Sequence, residues 1–83
     1  MLGKRIADGA WPENPGEYSK HRVQDQGIAW FVYPPIPDFG PASIAKHTVI
    51  EHGDGTITVS PSILITGVKQ WHGYLEHGVW REC

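Results

Sequence analysis

Disulfides, membrane spans and a basic surface are all missing from this 83-residue sequence. It holds one cysteine, Cys83 at the last position, which excludes an intrachain disulfide and a cysteine-built zinc site. A lone thiol fits a reducing compartment, so a cytoplasmic protein is expected. No apolar run approaches the roughly 18 residues that cross a bilayer, and no membrane partner is expected. The opening stretch Met1 to Asp8 carries charges with no apolar run behind them, so a secretory signal is not expected either. Seven Lys and Arg against nine Asp and Glu leave a net charge of −2. The basic footprint that displaces counterions is lacking, which argues against direct nucleic-acid binding. Gly53-Asp54-Gly55 has no Walker lysine and no following helix, and Asp54 repels an anion, so it is not a phosphate loop.

What is present is aromatic and strand-like. Eighty-three residues form one domain, 1–83, that buries about 60–65% of its unfolded surface, so the core is thin. Four tryptophans are the compositional oddity; each brings a large apolar surface and one N–H to satisfy. Asp8-Gly9, Pro12 and Asn14-Pro15-Gly16 punctuate the start, which reads as an irregular wrap over 1–27 pinned by Trp11 and Tyr18. Lys20 to Gln26 is polar and reads as a loop. The β core occupies 28–83. Ile28 to Tyr33 is an apolar, aromatic and β-branched run bounded by Gly27 and Pro34, the mark of a buried strand. Ala42 to Lys46, after Pro41, is the one place for a helical turn.

The last third is a meander. Ile57 and Val59 alternate with Thr56, Thr58 and Ser60. A two-residue Asp54-Gly55 loop or a four-residue loop from His52 to Gly55 places Ile50 on the Ile57/Val59 face. A three-residue loop puts Val49 and Glu51 there instead. Asp-Gly is the strongest short hairpin signal, so the even loop is expected. Pro61 marks a bend, bulge or edge, after which Ser62 to Thr66 forms a further strand. A final hairpin runs from Trp71 to Arg81 and turns at His77-Gly78. The expected fold is mainly β: a small antiparallel curled sheet of four to six strands, with at most one short helix.

The run Asp54-Gly55-Thr56-Ile57-Thr58-Val59-Ser60-Pro61-Ser62-Ile63, with the closing His72-Gly73-Tyr74-Leu75-Glu76-His77-Gly78-Val79-Trp80, resembles a family. It is a set of small uncharacterised phage and prophage proteins, some mislabelled as ammonia monooxygenase. Their shared core is a Gly-Thr-x-Thr-x-Ser-Pro-Ser-Ile strand and a His-x-aromatic-aliphatic hairpin with Gly and Trp. The resemblance covers residues 47–83 and implies an origin in phage; it carries over no activity. Relatives with a cysteine cluster suggest a zinc-ribbon-like site, but those cysteines are absent here, and only His72 could occupy a former ligand position.

The residues offer the ingredients of three chemistries. His47, His52, His72 and His77 form two His-x4-His spacings across the turns, yet a metal site needs three or four ligands, and no metal or other cofactor is expected. Ser60 and Ser62 with His72 and Asp54 supply triad residue types, but triads are defined by geometry, and there is no Gly-x-Ser-x-Gly elbow. Serines flanking Pro61 more naturally bond the backbone groups that proline frees. A nucleotide held between tryptophan faces, with Arg or Lys on its phosphate, stays open. The binding residues expected are Trp30, Trp71, His72, Tyr74, Trp80 and Arg81. Small size, the lack of catalytic motifs and the surplus of aromatics point to a non-enzymatic binding protein, and the resemblance implies a phage accessory protein that antagonises a host process such as a defence system. Its partner is a host bacterial protein or a small nucleotide ligand, and it forms a homo-oligomer that covers Trp-rich surface. The alternative is a His-based metal-binding or hydrolytic domain.

Overall fold

A computed structural model describes residues 1–25 and 27–83 and contains two four-stranded sheets with no helix among them. In the first sheet β1 (Lys4–Arg5) lies parallel to β2 (Glu17–Val23), which pairs antiparallel with β3 (Gly27–Val32), followed by the short β4 (Ala42–Ser43). The second sheet is an antiparallel meander of β5 (Thr48–Glu51), β6 (Ile57–Ile65), β7 (Trp71–Glu76) and β8 (Val79–Glu82). The fold is mainly β, as the sequence indicates, with more strands than the four to six expected.

One apolar cluster joins the sheets: Tyr18, Trp30, Val32 and Ile44 from the first side meet Ile57, Val59, Ile63, Trp71, Leu75 and Trp80 from the second. Burial alternates strictly along β7, where Trp71, Gly73 and Leu75 face inward while His72, Tyr74 and Glu76 face solvent. That is the pleat period of two at work. The two sheets are joined along one flank. Met1 exchanges two backbone bonds with Trp80 and Gly3 donates to the Gly78 carbonyl, after which Lys4–Arg5 continues along β2. Along the opposite flank the chain turns at Ile44–His47, where the His47 N–H donates to the Ile44 carbonyl, and the sheets part. The architecture is thus an eight-stranded ring open at one seam.

Five expectations are corrected. The stretch read as an irregular wrap, 1–27, contains β1, all of β2 and the first residue of β3. Its polar letters conceal a strand because most of its polar side chains have partners: Ser19, fully buried, meets His21 Nε2 at 3.1 Å, and Lys20 reaches Glu51 at 3.0 Å. Lys20–Val23 is therefore strand and not loop, while Gln26 lies outside the described residues. Tyr18 is the core anchor expected, but Trp11 is not: it is 54% exposed and packs edge-on to Phe31 on the outer side of the first sheet. Ala42–Lys46 forms β4 and a turn, not a helical turn. Ser62 to Thr66 is not a separate strand, since β6 runs through Pro61 with a shift of register between Val59 and Ile63. A bulge is how a sheet accommodates a residue without an N–H.

The register of the β5–β6 hairpin also differs from expectation. Val49 pairs with Val59 and Glu51 with Ile57, so Ile50 faces solvent. The reason is the odd loop. Gly55 N–H donates to the His52 carbonyl, Gly55 takes φ +90°, and His52 N–H then pairs with the Thr56 carbonyl. This is the three-residue loop with a left-handed glycine that forms a bulge. Asp54 fixes it by accepting from Thr56 N–H at 3.0 Å and from Thr56 Oγ1 at 2.6 Å. The β7–β8 turn matches expectation: His77 (φ 47°) and Gly78 (φ 75°) form a two-residue loop between paired Glu76 and Val79.

Candidate functional site

The solvent face of the second sheet follows from this register. Its upward positions are Thr48 and Ile50 on β5, Thr58, Ser60 and Leu64 on β6, His72, Tyr74 and Glu76 on β7, and Val79 and Arg81 on β8. An outer sheet face is ordinarily polar. Here Ile50 is 52% exposed, Leu64 64% and Val79 42%, and Leu2, bridged to Val79, extends the row. By register Thr58 and Glu76 lie between Ile50 and Val79, and Leu64 stands at the other end of β6, so Val79 and Leu2 are the neighbouring apolar pair on this face.

Tyr74 and Arg81 form a directly paired couple on β7 and β8, toward one side of this face. The Arg81 guanidinium lies 5.7 Å from the Tyr74 ring centre and also bonds Glu76. Tyr and Arg are the residue types that carry binding energy in interfaces, since both offer broad apolar area with a polar tip. The hairpin tips are locked beside them. The His52 and His77 rings stack at 3.9 Å, and Thr58 Oγ1 accepts from His77 N–H at 3.0 Å and lies 2.7 Å from His52 Nε2. A rigid face loses less entropy on binding than a loose one. At the far end Leu64, His72, Glu82 and Cys83 border a depression of about 380 Å3.

Of the six residues expected to bind, the structure brings His72, Tyr74 and Arg81 onto this face and removes the three tryptophans from it. Trp30, Trp71 and Trp80 are 8%, 6% and 1% exposed. The expectation that the meander presents Trp71 and Trp80 is corrected: on their strands they share the inward parity of Leu75, and they pack edge to face at 5.5 Å. Trp80 Nε1–H donates to the Gly16 carbonyl at 3.0 Å in the interior. Trp30 is capped by Arg5 at 5.2 Å and Lys20 at 5.7 Å, both tied to Glu51. The Arg5 hydrogen bond, with that of Lys20, holds the Glu51 carboxyl below the usual carboxylate range.

The catalytic and metal constellations separate. Ser62 Oγ and His72 Nε2 are 2.9 Å apart across β6 and β7, whereas Asp54 is held by Thr56 at the hairpin tip. His47 Nε2 donates to the Ser62 carbonyl at 3.2 Å, far along the sheet from the His52–His77 stack. Among the described residues no three His, Cys, Asp or Glu side chains gather as a metal group. Sequence reasoning missed Ile50, Leu64 and Val79. The hairpin parity carried the signal for Ile50, since the odd loop turns it outward. Comparison of the chain with protein-family models, curated proteins and solved structures finds no match.

Proposed function

We propose that this chain is a non-enzymatic binding protein that engages a bacterial host protein through the solvent face of its second sheet. The observation that carries the reading is the exposed Tyr74–Arg81 pair, on a sheet face that also leaves Ile50, Leu64 and Val79 in solvent and has both hairpin tips locked. Burial of the three tryptophan rings favours a protein partner over a stacked nucleotide. The role of a phage accessory protein that antagonises a host defence system rests on the sequence resemblance over 47–83.

The test is capture from bacterial lysate with the wild-type chain and with a Tyr74→Ala/Arg81→Ala variant. A host protein retained by the first and lost at least tenfold by the second supports the reading. Hot-spot truncations of this kind cost about 2 kcal/mol or more. Equal capture by both removes this face from the function. A thermal-shift screen of cyclic nucleotides runs in parallel, and a stabilisation unaffected by the double variant favours the nucleotide partner instead.

A further inference from the structure

The open seam of the ring is bordered by backbone, and backbone parity shows which groups face it. Tyr33 N–H donates to the Glu17 carbonyl, so Tyr33, Phe31 and Ala29 direct their N–H and C=O toward β2. Ile28, Trp30 and Val32 therefore direct theirs to the other edge, which agrees with Ile44 N–H donating to the Trp30 carbonyl. β4 covers that edge only at Phe31 and Val32, and the chain leaves it after Ile44. The N–H and C=O of Ile28 thus point into the seam with no strand beside them among the described residues. On the facing side, His52 N–H pairs with Thr56, so Ile50 and Thr48 turn toward β6 while Val49 and Glu51 present their N–H and C=O outward. Two unpaired edges flank one gap.

The gap has side-chain character as well. Ile28 stands on the inward face of β3 with Trp30 and Val32, yet it is 51% exposed where Val32 is fully buried. The β2–β3 hairpin outruns the second sheet. Ile28, Trp30, Ile44, His47 and Val49 enclose a cavity of about 420 Å3, within the size range of binding clefts. His47 Nδ1 is buried without a partner; its Nε2 donates to Ser62, which leaves Nδ1 an unmet acceptor. Charge marks the occupant. Arg22, paired with Ile28 across the hairpin, and Lys46, in the turn that ends at His47, are both exposed and form no ion pair among the described residues. Glu51, the acid on this flank, is taken by Arg5 and Lys20, and Asp25 stands at the hairpin tip.

We infer that the seam between β3 and β5 binds an extended acidic peptide segment of a partner protein, which adds as a strand and completes the ring. Main-chain bonds to Ile28, Val49 or Glu51 supply the affinity; apolar and acidic side chains at every second position share the inward face, the apolar ones beside Ile28 and Val49 and the acidic ones toward Arg22, which its pairing with Ile28 puts on that face, and Lys46. This surface is separate from the outer face of the second sheet, and different substitutions test the two.

The probe is the peptide acetyl-(Asp-Thr-Val-Thr)2-amide, whose Asp and Val share one strand face, with acetyl-(Lys-Thr-Val-Thr)2-amide as the charge control, titrated into 15N-labelled full-length chain. Amide exchange of Ile28 and Val49 is expected to be fast in the free chain and to slow at least tenfold with the acidic peptide. The control should bind at least tenfold more weakly. Val49→Pro removes an outward N–H without touching the β5–β6 ladder and should lower affinity with the fold retained; Arg22→Glu/Lys46→Glu should lower it and invert the charge preference. Protection of the Ile28 and Val49 amides in the free chain, together with a dimer by light scattering, overturns the proposal in favour of a second copy in the seam. Equal binding of both peptides, shifts confined to residues outside the seam, or no binding at millimolar peptide also overturns it.

Discussion

Trp80 shows how one residue type can be read two ways. A tryptophan at a hairpin end suits an interface, where ring and N–H meet a partner. In this fold the partner is internal: the ring packs on Trp71 and the N–H meets Gly16. Trp80→Phe keeps most of the apolar area but removes the indole bond to the Gly16 carbonyl, which Lys4 N–H still meets at 3.1 Å. It should cost about 1 kcal/mol from that bond alone, in addition to the lost ring area. Tyr74→Ala, on the solvent face, should stay within about 0.5 kcal/mol. Urea unfolding of both variants checks the contrast, and equal losses would contradict the assignment of Trp80 to the core. Whether Trp80 faced inward or outward was undecided in the sequence because the strand's parity depends on which sheet covers it.

Among the elements, the closing hairpin was the most legible and the β5–β6 hairpin the least. His77-Gly78 is a two-residue turn whose glycine needs positive φ, and it sits where expected. A methyl at Gly78 would lie 2.9 Å from Thr56 Cγ2 and 3.0 Å from the Tyr18 hydroxyl, in addition to the left-handed backbone. Gly78→Ala should destabilise by about 2–4 kcal/mol, combining backbone strain with overpacking. Gly9→Ala, at φ +84° with open space around it, should lose only about 1 kcal/mol. Thermal unfolding of the pair separates strain from crowding. For β5–β6, His-Gly-Asp-Gly contains both an even and an odd turn. Asp54 decides between them through its bonds to Thr56, a choice made by side-chain geometry that residue types alone leave open. β2 was hidden for a related reason: Lys20 and His21 look like loop residues until Glu51 and the Ala10 carbonyl supply their partners.

For the whole molecule, the joint between the sheets beside the open seam is electrostatic. Glu51 from one sheet bonds Arg5 and Lys20 from the other, at 2.6 Å and 3.0 Å. Its carboxyl is held below the usual range, so its contribution is present above the ordinary carboxylate value of 4.5 and drains away as pH falls through the depressed one. Glu51→Gln should therefore be less stable than wild type near neutral pH, with the difference closing as the solution becomes acidic. The ions are partly exposed, so molar salt should also shrink the difference. A gap between the two chains that is unchanged by both treatments would show that the clasp is not ionic.

The sequence by itself determined the β class, the positions of β3 and β7, the closing turn and the absence of disulfides. These follow from local alternation, turn chemistry and composition, which need no distant partner. Tertiary structure alone decided that Trp30, Trp71 and Trp80 are core, that Ile50, Leu64 and Val79 face solvent, and that Met1–Arg5 closes one flank while the other stays open. Each of these depends on which strand lies beside or above another, and that pairing joins residues up to 79 positions apart. No local pattern encodes it.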